Sequence, residues 1–342
     1  MRFSFAAIAL AVVVQGPDIH AQRVENYPTL VRMYAAGSGA EALSALLRYP
    51  HRAIIETAKS TAPTLAPREM IAAAILHTEA ALSVLDARPF DATAHVELSK
   101  ALIESALRHP AAHEQALTVA RRWYYFVVSM FASANQMQAA NWYAREGLIA
   151  FPREATLYFV RGTIAEMSMH MAWDRDLRHE LPETSRERGR LELYLKNAVD
   201  DYQRALNIDA HLARAHLHVG WTRLFLGDKR ARVELEAAAA DARTDRERYL
   251  AHLFLGGLAE HDKRLEDARR EYQSAHEAGP AFQSGYLALS RVEEALGNSR
   301  RAQDLAVECA QLRKDDPDPW WDYAVNFDRD ALNELRAEAR RP

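Results

Sequence analysis

The chain is expected to fold as an all-α solenoid of antiparallel helix pairs, and three features of its 342 residues predict this. Small residues and one tyrosine recur at fixed offsets: Leu255-Gly256, then Ala268, Tyr272 and Ala275, then Pro280. The arrangement returns with a period of about 34 residues, the length of one helix–turn–helix unit. Outside that frame, in residues 26–121, apolar residues fall three and four apart between Gly and Pro breaks, as on helix faces.

The clearest unit runs from Tyr249 to Phe282. Gly256, Ala268 and Ala275 stand at its eighth, twentieth and twenty-seventh places, where the lack of bulk lets two antiparallel helices approach, and Tyr272 fills the layer between units. Such a unit buries its faces only against its neighbours. The pattern resembles the tetratricopeptide repeat. The resemblance implies a right-handed superhelical solenoid and a protein-interaction scaffold, with packing rather than catalytic roles for the pattern residues.

From the N-terminus, Arg2 precedes an apolar run from Phe3 to Val14, Gly16-Pro17 breaks it, and Ile19-His20-Ala21 offers a cleavage site. The run is too short for the roughly 30 Å core of a bilayer. Residues 1–21 are therefore expected to be a signal peptide cleaved near Ala21, which makes the mature chain periplasmic or secreted, with no membrane span. Residues 22–120 are expected to be a helical segment of degenerate repeats or a cap. Its helices are predicted over 27–36, 41–47, 53–59, from Pro67 to about Leu85, and over 93–108, with a long one over 112–132.

Residues 121–316 hold five units. The first carries Tyr124, Ala140, Gly147, Leu148 and Pro152. The second carries Tyr158, Gly162, Ala198, Tyr202 and Ala205, and is about 24 residues longer than the period because of a charged insertion near 170–190. That insertion reads either as a pair of extended repeat helices joined at Leu181-Pro182 or as a partner-binding protrusion. The third unit has Val219-Gly220 and Gly227-Asp228, but Arg232 where a small residue is expected, and two extra residues before Tyr249. The fifth has Tyr286, Leu289, Gly297-Asn298, Ala302, Ala306 and Cys309. Residues 317–342 are expected to be a C-terminal cap, with Trp320-Trp321 covering the apolar face of the last repeat and an amphipathic helix over 330–340.

Apolar residues at 49%, charged residues at 26% and a net charge of −4 describe a globular chain and disfavour nucleic acid as a partner. Zinc-protease spacing is missing: His113-Glu114 has Leu117 where the second histidine belongs. No Gly-x-Ser-x-Gly elbow and no phosphate-cradling loop occurs. Catalytic residues, metal ligands and cofactors are therefore not expected. The single cysteine, Cys309, at a small-residue packing place, reads as a buried thiol.

In repeats of the resembled kind, the second, fifth, ninth, twelfth and thirteenth places of each first helix face a ligand. Here the resemblance puts Arg122 and Tyr125, Phe159 and Thr163, Arg214, Leu217, Trp221, Leu224 and Phe225, Leu250, Leu253 and His261, and Leu287, Arg291 and Glu294 at such places. Tyr125, Phe159, Arg214, Leu217, Trp221, Phe225 and Arg291 are the candidate partner-binding residues: apolar area for affinity, guanidinium forks for carboxylates. The family's carboxylate clamp is not matched, since its asparagines are missing and His218 and Trp221 stand at two of the corresponding places. The expected function is non-enzymatic binding of a protein or peptide segment, in the cell envelope or outside the cell. A structural assembly role through the convex face or the insertion, and an enzyme of unrecognised type, are the alternatives; oligomeric state stays open.

Overall fold

The computed structural model describes residues 24, 26–174, 185–312, 318–323 and 329–341. Among them the secondary structure is helical throughout, with no strand. By internal contacts the chain divides into two compact units: residues 1–116 with 336–342, and residues 117–335. The expected signal peptide, and residues 175–184 of the expected insertion near 170–190, Leu181-Pro182 among them, lie outside the described residues.

The first unit contains α1 (Tyr27–Ala35), α2 (Gly39–Leu46), α3 (His51–Thr61), α4 (Pro67–Val84) and α5 (Pro89–Leu107). Pro67 and Pro89 stand at the first position of α4 and α5, where the fixed φ suits a helix and the missing N–H is not needed. From Met70 to Ala81 every residue of α4 is buried, which makes it the central helix, packed on α1, α2 and α5. Most observed bounds lie within two residues of the predicted ones, because breaks at Gly37, Pro50 and Pro110 fix them; α5 starts four residues before the predicted Thr93, because Pro89 opens the helix instead of breaking it.

The second unit, which begins at Leu117 within α6 (His113–Ser133), is a tetratricopeptide-like array of antiparallel helix pairs. α6 pairs with α7 (Met137–Ala150), and α8 (Ala155–Asp174) with α9 (Ser185–Ile208). The next pairs are α10 (Ala213–Phe225) with α11 (Ala231–Asp241), α12 (Asp245–His261) with α13 (Leu265–Ala278), and α14 (Gln283–Ala295) with α15 (Ser299–Gln311). Each second helix also packs on the first helix of the next pair, and α8, α10, α12 and α14 touch in sequence along one face. A short helix, α16 (Pro319–Tyr323), and α17 (Arg329–Ala339) follow.

The small-residue frame is visible atom by atom. A Cβ on Gly256 would lie 2.4 Å from the ring of Tyr272, and one on Gly162 would lie 2.5 Å from the ring of Tyr202. Ala268, Tyr272 and Ala275 are all buried. In the third pair the frame slips by one residue: Ala231, Leu235 and Ala238 face inward, Gly220 abuts Leu235, and Arg232 turns toward Glu236 and Asp262. The extra residues before Tyr249 form the first turn of α12, closed by a capping box in which Thr244 Oγ1 accepts from Glu247 N–H and Glu247 accepts from Thr244 N–H. α8 and α9, at 20 and 24 residues, are longer than the helices of the other late pairs.

Four turns inside pairs use a residue of positive φ: Asn135, Gly227, Lys263 and Gly297. The left-handed conformation reverses the chain within a few residues, and glycine adopts it without steric cost. Among the described residues no helix is long and apolar enough to cross a membrane.

Candidate binding face

The first helices α8, α10, α12 and α14 carry a strip of aromatic and polar side chains, and across this strip lies the chain's own segment from Asp318 to Tyr323. Trp221 of α10 stacks on Phe254 of α12 with ring centres 4.4 Å apart. Trp320 meets both edge-on at 5.4 Å. Tyr323 stands edge-on to Phe254 at 5.0 Å and stacks on His218 at 4.3 Å. Such ring pairs contribute roughly 0.5 to 1.5 kcal/mol each beyond buried area, so the seat is a specific one. The sequence places the tryptophans on the apolar face of the last repeat; Trp320 instead sits on the first helices of the third and fourth pairs, where the aromatic slot is.

Two polar anchors flank the slot. At one end the buried carboxylate of Glu166 on α8 accepts from Tyr202 Oη at 2.5 Å, from His218 Nδ1 at 2.8 Å, and from Tyr323 Oη at 3.1 Å. Burial first, and then the negative charge of Glu166, push the Tyr202 and Tyr323 phenols well above their ordinary range. These hydroxyls therefore stay protonated and donate. At the other end Asp318, also buried, accepts from Ser284 N–H at 2.6 Å and from Tyr249 Oη at 3.1 Å, while its other oxygen accepts from Trp320 N–H at 2.9 Å. Ser284 is in the first turn of α14, where unpaired N–H groups and the helix dipole favour an anion. Burial and the Asp318 charge raise the Tyr249 phenol as well.

The candidate residues divide around this seat. Phe159 is buried and packs edge-on against His218 at 5.2 Å, and Leu217 lies within the core cluster of α10 to α15. Trp221 forms the slot itself. Tyr125 accepts from Arg214 Nη1 at 3.3 Å, and Arg214 Nε faces Glu247 at 3.4 Å, so these two form a separate polar group. Phe225 is 40% exposed and borders an open hollow of about 410 Å³ with Lys196, Asp200 and Arg230. Arg291 grips Glu260 with both arms, at 2.8 and 2.6 Å. The repeat frame passes over Glu166, Tyr249, Asp318 and Tyr323. Glu166 holds the twelfth place of its unit and is within reach of the same rule; Asp318 and Tyr323 have no periodic signal.

Glu166, His218 and Tyr202 resemble an acid–base group in composition, yet all three are sealed beneath Tyr323 and Phe159. Among the described residues no group of three or more His, Cys, Asp or Glu side chains is placed to hold a metal ion.

No family model matches this chain, and no curated protein does. Solved structures of similar shape exist. A human IFIT1 dimer with m7Gppp-AAAA is 13% identical over 83% of this chain and 72% of its own, with a TM-score of 0.42. YrrB, described as a TPR protein with an unusual peptide-binding site, is 14% identical over 63% of this chain and 91% of its own, with a TM-score of 0.38. A thermophilic TPR protein of Thermus thermophilus is 18% identical over 67% of this chain and 99% of its own, with a TM-score of 0.39.

Proposed function

We propose that this chain is a non-enzymatic scaffold that binds a protein or peptide segment on the face of its first helices, and that it is exported to the cell envelope or beyond. The observation that carries the binding reading is the seat of residues 318–323: the face holds a short chain segment through three separate side chains, one anionic and two aromatic. Rigid stacking of the pairs fixes the slot before binding, so less ordering entropy is lost on association. Phe225, Arg214 and Arg291 extend the surface on its exposed margins. Export rests on Arg2, the apolar run from Phe3 to Val14 and the small residue Ala21.

The test is crosslinking capture with the wild-type chain beside a variant carrying Arg214→Ala, Trp221→Ala and Phe225→Ala that retains its helical circular dichroism. A partner captured by the first and lost by the second supports the face; a partner kept by both moves binding to the insertion or the opposite surface. A native N-terminus beginning at Gln22 would support export, and one retaining Met1 would refute it.

A further inference from the structure

We infer that the first-helix face recognises an acidic–aromatic segment of a partner protein, an aspartate followed two residues on by tryptophan and three further by tyrosine, and that residues 318–323 are an in-chain stand-in which that partner displaces. The inference rests on the reading of this face as the binding surface and names the chemistry it selects.

Each anchor is a ligand site in its own right. Ser284 N–H and the Tyr249 hydroxyl converge on one carboxylate at 2.6 and 3.1 Å, and Gly285 N–H holds the Tyr249 oxygen at 3.0 Å so that its proton points outward to the acid. A neutral amide in place of that carboxylate would bring no charge to the helix N-terminus. The Trp221–Phe254 stack accepts one further flat ring edge-on. Glu166, already holding Tyr202 and His218, presents its second oxygen to a phenol. The three sites lie on α8, on α10 with α12, and on α14, so a segment must carry all three groups at the right spacing to engage them together.

The stand-in does not exhaust the face. The Trp221 indole nitrogen is buried and meets no acceptor among the described residues. A partner segment that brings a carbonyl oxygen there makes one hydrogen bond that residues 318–323 do not, which lowers the concentration it needs to displace them by up to about tenfold. Attachment sets the threshold: a tethered segment competes at an effective concentration on the order of millimolar.

The experiment uses the full chain and a blocked, fluorescein-labelled peptide, Asp-Pro-Trp-Trp-Asp-Tyr, read by fluorescence polarisation. A variant with Asp318→Ala, Trp320→Ala and Tyr323→Ala vacates the face, and Trp320→Ala alone serves if the triple variant loses helical circular dichroism. The vacated chain is expected to bind the peptide at least about tenfold more tightly than wild type, the ratio a millimolar tether imposes on a ligand of about 0.1 mM affinity. Replacing the first aspartate of the peptide by asparagine should weaken binding by about tenfold. Equal binding by wild type and vacated chain, no binding by a folded vacated chain, or light scattering that shows wild type to be a dimer with exchanged segments would each overturn the inference. If the peptide fails while the Trp221 variant still loses a captured partner, the face binds but selects another chemistry; if capture survives that variant, the face itself is misassigned.

Discussion

Gly256 of α12 and Tyr272 of α13 are packed so closely that a methyl group on the glycine would stand 2.4 Å from two ring carbons. The ring cannot swing aside, because it is buried and its hydroxyl donates to Glu260 at 2.9 Å. Gly256→Ala should therefore destabilise by about 1 to 3 kcal/mol through overpacking. The neighbouring Gly257 is the control: its added carbon would lie 3.7 Å from the Tyr272 oxygen, an ordinary contact. Gly257→Ala should be neutral or gain up to about 1 kcal/mol from helix propensity. Urea unfolding of the two variants separates the cases, and equal effects would mean the helices are not in this register.

Lys263 turns the chain between α12 and α13 with φ at 61°, while Gly227 and Gly297 hold corresponding places in the third and fifth pairs. A side chain in that conformation costs roughly 1 kcal/mol or more. Lys263→Gly should stabilise the fourth pair by about 0.5 to 1 kcal/mol, net of the extra freedom glycine gives the unfolded chain. A higher urea midpoint with unchanged slope is the expected result.

These two sites show what can be read in advance. A glycine facing a ring sixteen residues later in one hairpin is a local relationship that repeats with the period, so the frame exposes it, and the proline breaks fix most helix starts in the first unit. The third pair misleads because the frame assumes a constant turn: one residue less before α11 puts Ala231 at the place the frame gives to Arg232. The seat on the binding face is not legible in this way. Tyr323 reaches Glu166 across 157 residues and Asp318 reaches Tyr249 across 69, distances set by the path of the array and not by any spacing on a helix.

In the first unit the carboxylate of Glu79 is buried on α4 and is held bidentately by Arg336, with contacts of 2.8 and 2.6 Å, while the Tyr34 hydroxyl donates to it. Gln115 Nε2 also donates to the backbone oxygen of Glu338 at 2.7 Å. Arg336→Met removes the guanidinium that pairs with this buried charge and should cost about 3 kcal/mol. Adding Glu79→Leu to that variant should restore part of the loss, since both charges are then gone. A double variant no better than the single one would show that Arg336 acts by packing alone.

The same unit contains a chain of four rings, the first three of them buried: Tyr27 on α1, His77 on α4, His95 on α5 and His51 on α3, joined at 2.8, 2.8 and 3.0 Å. One proton order satisfies every link with neutral imidazoles. Tyr27 Oη donates to His77 Nε2, His77 Nδ1 donates to His95 Nδ1, and His95 Nε2 donates to His51 Nδ1. Burial, and then the neighbouring His51, lower His95 from 6.5 to about 4; burial, and then His95, hold His77 well below its ordinary range. A base with a depressed folded pKa binds fewer protons folded than unfolded between the two values. Stability should therefore be complete above about pH 6.5 and fall as the pH drops toward 4, by up to about 3 kcal/mol for His95 alone. Amide exchange along α4 and α5, corrected for intrinsic rates, should accelerate from pH 7 to pH 5, while α12 and α13, which carry no such relay, should change less. Unchanged protection in α4 would mean that the relay accommodates an added proton and that burial of His77 and His95 does not oppose their protonation.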